Sequence, residues 1–364
     1  MSRRPGARRR WRRPAPDLRR FLWLALAPVA VGLAVLALLR LPGTDYAQVS
    51  DDPASLVILV TLDGVRLEEL TGGTDPALSD GPGGAPVMPF LTGTLAPLGT
   101  FLGDDSRGSR VRLGNPSGIS MPGYQSIFTG RMLFCTENDC RAVWGGTLLH
   151  SLARGLDRPV EFFTAWQRLC FGLPVMDLAQ TAVCGRDGAF AYLARQGQAS
   201  DPILGADRLV MQAALTRLRA PDPPGFLFVG LNDSDSAGHT GDYGTYLGVL
   251  AGYDAFLAEL WGEVERLRAG GEKPVLLVTT DHGRGRGAEW TQHGWNVAGA
   301  HRAWLLAAGH GVARRGFAAK TRGYSLFDIR PTVELLLGLD PTGSIWGGVI
   351  ADILEPRAVE DDDR

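Results

Sequence analysis

The chain has 364 residues, 45% of them hydrophobic and 21% charged, which is ordinary globular composition with room for one large α/β domain or two small ones. Its net charge of −2 hides an asymmetry, because ten arginines and one acid stand in residues 1–40 and leave 27 basic against 38 acidic residues, about −11, for the rest. That acidic remainder excludes nucleic-acid binding by charge.

At the start, Arg3, Arg4, Arg8, Arg9, Arg10, Arg12, Arg13, Arg19 and Arg20 precede an uncharged run from Phe21 to Leu39. At about 1.5 Å per helical residue, the run spans roughly the 30 Å hydrocarbon core of a bilayer. Arginine on the N-terminal flank predicts a single-pass anchor with its N-terminus in the cytoplasm and the remainder in the periplasm or outside the cell. A cleaved signal peptide is the competing reading. It needs a shorter apolar region ending in a small-x-small site, and Ala37 is followed by Leu38-Leu39-Arg40-Leu41-Pro42. The chain therefore divides into a basic segment (1–20), a transmembrane anchor (21–40), a linker (41–54), a folded domain (55–355) and an acidic tail (356–364).

The folded part opens with Ser55–Leu62 (SLVILVTL), a continuous apolar run rich in β-branched residues, as a buried parallel strand requires. Asp63 stands at its C-terminal end. Residues 72–89, rich in Gly, Pro and Asp, read as loop, and Met121–Phe128 after Pro122 reads as the start of a helix. Phe226–Leu231 is a second apolar strand, ending before Asp233 and Asp235. Tyr243–Arg268 carries apolar residues at helical spacing and stops at Gly270-Gly271. Pro274–Thr280 is a third strand, ending at Asp281, and Ala303–Ala308 a fourth. Strands alternating with helices predict a mostly parallel sheet covered on both faces, in which ligands bind beyond the carboxyl ends of the strands. Three acids at equivalent strand ends point to one site.

The four cysteines suit an oxidising compartment. Local pairing, Cys135–Cys140 and Cys170–Cys184, is the simplest of three connectivities, the alternative being four reduced, buried thiols. With no Cys-x-x-Cys pair, a cysteine zinc site is disfavoured.

Two Asp/His pairs, Asp235-Ser-Ala-Gly-His239 and Asp281-His282, together with Asp63 and His293, supply the carboxylate oxygens and imidazole nitrogens that zinc and its neighbours accept. Two such cations close together clamp the attacking and leaving oxygens of a phosphoryl transfer. Singly, Asp63 and Asp281 read equally well as helix caps or turn residues, Asp233 rivals Asp235, and His301 and His310 rival His293. Asp254 and His150 read as structural.

In chain order, Leu62-Asp63-Gly64, Ser120-Met-Pro-Gly-Tyr-Gln-Ser-Ile-Phe-Thr-Gly130, Asp235-Ser-Ala-Gly-His239, Asp281-His282-Gly283, His293-Gly-Trp-Asn296 and Asp328-Ile-Arg-Pro-Thr-Val-Glu-Leu-Leu-Leu-Gly338 resemble the alkaline phosphatase superfamily. The resemblance is nearest to its nucleotide pyrophosphatase/phosphodiesterase branch and runs from about Ser55 to Leu354. It implies an alkaline phosphatase-like α/β fold and two divalent metal ions, zinc by default with manganese admitted. Asp235, His239 and His293 would hold one ion, and Asp63, Asp281 and His282 the other, completed by Ser120. Ser120, preferred to Ser117 and Ser126 on the family's offsets, would be the nucleophile and form a phosphoseryl intermediate. The implied substrate is a phosphorylated small molecule, or a lipid or glycan if the domain transfers a head group at the membrane instead of hydrolysing. A sulfatase is disfavoured because Tyr124 stands where those enzymes carry arginine and Gly64 where they carry a second aspartate. A non-catalytic relative is disfavoured because all seven positions hold competent residues. No residue answers clearly to the phosphodiesterase side chain that binds a non-bridging phosphate oxygen; Arg131 is the candidate substitute, with a helix-end cation as its plain reading.

Overall fold

The computed structural model describes residues 52–79, 84–143, 145–198, 200–201 and 203–355. The expected basic segment, anchor and acidic tail, and most of the linker, lie outside the described residues. Among the described residues, no helix is long and apolar enough to cross a membrane.

An eight-stranded sheet forms the centre, in the order β10-β2-β9-β7-β1-β6-β4-β5. Its strands are β1 (Leu56–Leu62), β2 (Gly99–Leu102), β4 (Val160–Thr164), β5 (Thr181–Cys184), β6 (Phe226–Leu231), β7 (Pro274–Thr279), β9 (Leu305–Gly309) and β10 (Gly316–Phe317). All neighbours pair in parallel except at β9, which runs antiparallel to both β7 and β2. The fourth expected strand is thus present but reversed, and it begins two residues later than its apolar run suggests. A smaller sheet joins β3 (Arg110–Arg112) to β11 (Gly323–Ser325) in parallel and to β8 (Arg302–Ala303) antiparallel.

The alternation of β1 explains why its sequence is apolar throughout. Leu56, Ile58, Val60 and Leu62 face one core, and Val57 and Leu59 face the other. The first core is closed by helices α4 (Gly185–Arg195), α5 (Ala206–Leu218) and α7 (Tyr243–Ala269), through residues such as Ala189, Leu209, Ala213, Leu250 and Leu257. The second is closed by α2 (Ser120–Thr129), α3 (Leu148–Gly155) and α8 (Ile329–Leu336), through Ile127, Phe128, Leu152 and Val333. A short helix α1 (Leu67–Thr71) follows β1, and α6 (Asp233–Thr240) follows β6. The 27-residue α7 starts as its spacing predicts, capped by the Asp242 side chain, which accepts from Thr245 N.

Both local disulfides form, Cys135–Cys140 and Cys170–Cys184, and no cysteine is left free. The polypeptide enters the sheet at the end remote from the acids. Asp52 pairs there with Lys273, the residue before β7, and with His310.

Candidate metal centre

The strands β7, β1 and β6 are adjacent, so the residues that follow them meet at one edge of the sheet. Asp63 follows β1, Asp281 follows β7 by two residues, and Asp235 lies in the first turn of α6 after β6. The tight exit from β1 depends on Gly64, whose φ of +63° favours glycine and whose added Cβ would stand 2.8 Å from Asp235 Oδ1.

Asp63, Asp281 and His282 are fully buried and bring one ligand atom each within 4.8 Å of the others; Asp235, His282 and His293 form a second such group. His282 Nε2 stands 3.3 Å from Asp63 Oδ1, 3.7 Å from Asp281 Oδ2 and 3.8 Å from Asp235 Oδ1, so it belongs to both groups. His239 reaches the second group from its open side, with Nε2 3.2 Å from Asp235 Oδ2 and 3.0 Å from His293 Nε2. The six Asp and His residues of the predicted ligand set are therefore together. Grouping by distance differs from the sequence expectation in placing His282 between the two groups.

Two of the histidines have their inner face fixed by the backbone. His282 Nδ1 lies 2.9 Å from the Gly283 carbonyl and His293 Nδ1 2.9 Å from the Gly118 carbonyl. Each Nδ1–H donates outward to a carbonyl, which directs Nε2 into the cluster, the orientation a metal ligand needs.

Three carboxylates in so small a buried volume repel each other. Burial, then the charge of Asp235, raises the Asp63 pKa, and burial with the charge of Asp63 raises that of Asp281 well above the usual range. Burial works against charge on His282, yet Asp281, Asp63 and Asp235 hold it up to about 10. His293 is pushed down to about 3 by burial and by the charge of His282. Asp235 lies below the usual range despite burial, through its bond from His239 and the charges of His282 and Arg284. Asp281 Oδ1 accepts from Gly64 N at 3.1 Å, whereas Asp281 Oδ2 is buried with no hydrogen-bond partner. An orphaned carboxylate oxygen beside an inward-facing histidine nitrogen, among three clustered carboxylates, fits divalent cations, and the donor set is that of zinc.

Ser120 is the first residue of α2, with its Oγ 3.2 Å from His282 Nε2 and 3.4 Å from Asp63 Oδ1. Its rivals are engaged elsewhere: Ser117 Oγ donates to the Cys135 carbonyl at 2.9 Å and Ser126 Oγ to the Pro122 carbonyl at 2.7 Å. Asp233 lines a cavity of about 760 Å³ with the buried Asp207, outside the cluster. His301 Nε2 meets the Trp295 carbonyl, and His310 sits near Asp52 at the far end of the sheet. Asp254 accepts from Phe90 N and Leu91 N, both at 2.8 Å, and His150 meets Thr147 Oγ1 at 2.7 Å.

The exposed Arg131 guanidinium is directed at the Gly145 carbonyl, just after Gly130 ends α2 in the left-handed conformation. Three residues that sequence reasoning did not select do reach the site. The Asn138 side chain accepts from Met121 N at 3.0 Å, beside Ser120. Tyr124 donates to Asp63 Oδ2 at 3.2 Å, and Arg284 pairs with Asp235 Oδ1. Tyr124 lies one helical turn after Ser120, a spacing that could have revealed it. Asn138 lies between Cys135 and Cys140, which pointed to an ordered loop but not to its direction.

Residues 205–341 match the family model described as the Metalloenzyme superfamily, and that segment carries Asp235, His239, Asp281, His282 and His293. No curated protein matches the chain. Among solved structures, the phosphonate monoester hydrolase of Agrobacterium radiobacter is similar at 16% identity and a TM-score of 0.58, over 84% of this chain and 78% of its own. The C-terminal periplasmic domain of EcEptC from Escherichia coli, a complex with Zn, is similar at 13% identity and a TM-score of 0.53, over 81% and 85%. The lipoteichoic acid synthase LtaP from Listeria monocytogenes follows at 15% identity and a TM-score of 0.56, over 86% and 79%. The family match falls on the segment that carries five of the six clustered Asp and His residues, and the likeness to these structures shows that the chain shares their fold.

Proposed function

We propose that this protein is a membrane-anchored, exported phosphoester hydrolase that works through a phosphoseryl intermediate on Ser120. The observation that carries this reading is the placement of Ser120 Oγ, at the first position of a helix, within 3.4 Å of both Asp63 and His282. Asp63, Asp281 and His282 would hold one divalent cation with Ser120, and Asp235, His239 and His293 the other. Bound there, two zinc ions would supply Lewis acidity, lowering the proton affinity of the serine hydroxyl and stabilising charge on phosphoryl oxygens.

The chain's own groups set the rest of the chemistry. Ser120 Oγ attacks phosphorus in line as the P–O bond to the leaving alcohol breaks, and water then cleaves the Ser120–phosphate ester to give phosphate or its monoester. The Met121 N–H, free of intrahelical partners at the start of α2, meets a non-bridging oxygen, and the Asn138 amide that now holds it becomes a second contact. The two disulfides and the arginine-flanked apolar run at the N-terminus support an oxidising compartment and a tether.

Transfer of a phosphorylated head group to a lipid or glycan is the second reading. The likeness to a lipoteichoic acid synthase favours it, whereas the likeness to a phosphonate monoester hydrolase favours hydrolysis. The test is hydrolysis of aryl phosphate monoesters and diesters by the zinc-loaded protein and its Ser120→Ala variant, with and without added alcohol or lipid acceptors. Ser120-dependent release that is indifferent to acceptor supports hydrolysis. Release that requires acceptor supports transfer, and release that survives Ser120→Ala contradicts the covalent route.

A further inference from the structure

The fully buried Arg284 has a donor on each of three groups. Nη1 pairs with Asp235 Oδ1, Nε donates to the Trp290 carbonyl at 3.0 Å, and Nη2 to the Thr291 carbonyl at 2.7 Å. Asp235 lies in the first turn of α6, which also carries His239, while Thr291 stands two residues before His293. Beside it, Gly285 N donates to the Gln292 carbonyl at 2.9 Å, so residues 284–285 and 290–292 are joined along their backbones. One planar fork thus ties the helix holding Asp235 and His239 to the loop holding His293, and it does so two residues after His282.

The room for this fork is made by Gly238, between Asp235 and His239. A Cβ there would stand 2.6 Å from Arg284 Cζ and 2.7 Å from Nε. No side chain larger than hydrogen fits without moving the guanidinium. Nor would a lysine do the same work, since a single ammonium cannot reach a carboxylate and two carbonyls in one plane.

We propose that Arg284 is a positioning residue that braces the Asp235, His239 and His293 group for its cation, with Gly238 as the space that admits it. The inference rests on the two-metal reading. Two effects of a buried guanidinium compete. Its charge repels a cation and weakens binding; its fork holds a carboxylate and a histidine loop in place and strengthens it. Loss of a partner that orients a ligand costs about 10–100-fold in metal affinity, and here one side chain orients two ligand-bearing segments, so the brace outweighs the repulsion.

The experiment is a zinc titration of the full chain in detergent, by competition with a chromophoric chelator, for the wild type and Arg284→Lys, Arg284→Met and Gly238→Ala. The expected result is two zinc ions in the wild type. All three variants then bind one ion about 10–100-fold more weakly, with the other unchanged within threefold. Arg284→Lys keeps the charge and loses the fork, and Gly238→Ala keeps the arginine, displaces it and favours the helix; these two decide the matter if Arg284→Met does not fold. Wild-type affinity in folded Arg284→Lys and Gly238→Ala overturns the brace. So does tighter binding in Arg284→Met, which would make the guanidinium a competitor for Asp235. A wild type that takes up no zinc overturns the two-metal reading itself.

Discussion

The Nε2 atoms of His239 and His293 face each other at 3.0 Å, with Asp235 Oδ2 3.2 Å from the first. Two imidazole lone pairs at this distance repel unless a proton or a metal lies between them, and two nitrogens bound to one tetrahedral zinc at about 2.0–2.1 Å stand slightly further apart. The proton is disfavoured at His293, whose pKa is pushed down to about 3 by burial and the charge of His282. His293→Ala is therefore expected to lose one metal ion and most turnover while keeping the other ion, as read by elemental analysis. Zinc at a hundredfold excess over its Kd should raise wild-type stability by about 2.7 kcal/mol, seen as a higher melting temperature than in chelator.

Ser120→Ala separates binding from chemistry. Ser120 Oγ adds one donor to a cluster of six Asp and His ligands, so the variant should keep its metal but lose roughly 10³-fold or more in kcat. Loss of metal together with activity would make Ser120 a ligand first and a nucleophile second.

Asn138→Ala tests the contact at the start of α2. Without the amide that meets Met121 N, kcat/KM for a phosphate ester should fall about 10²-fold, the usual cost of one donor to a charged oxygen, with unchanged metal content.

Tyr124→Phe removes the hydroxyl that donates to Asp63 Oδ2 from inside the nucleophile helix. Zinc affinity at the Asp63, Asp281 and His282 group should fall about 10-fold or more, measured by chelator competition, while the fold persists because the ring still packs against Phe228.

Asp207 supplies a pH signature away from the metal ligands. Burial, then the charge of Asp233, raises its pKa to about 7, against bonds from Tyr253 and the amides of Asn232 and Asp233. A carboxyl that holds its proton more tightly folded than unfolded contributes most at low pH, and its contribution falls as pH rises from about 4 to about 7 and is flat above. The wild type should lose stability relative to Asp207→Asn across that window, by roughly 1.4 kcal/mol per pH unit at most, in denaturant titrations at pH 5 and pH 8.

Strands β1, β6 and β7 were legible because each is an apolar run buried on both faces, and their ends located Asp63, Asp235 and Asp281. Strands β2 (GTFL), β4 (VEFFT) and β5 (TAVC) were not, being short and lacking the length that separates a strand from a loop. The reversal of β9 is set by pairing with β7 and β2, a relation that no local pattern encodes. At the site, Asp and His in a spaced order declared themselves. Arg284 did not, because its role lies in a partner 49 residues away, and Asn138 did not, because an asparagine inside a cysteine loop reads first as a turn residue.

The central claim, that Asp63, Asp281, His282, Asp235, His239 and His293 form a two-cation site, is tested most directly by counting metal. Elemental analysis of the zinc-loaded full chain, dialysed against metal-free buffer, should find two ions per chain in the wild type and one in Asp281→Asn. No bound metal in the wild type, or two ions retained by Asp281→Asn, would contradict it.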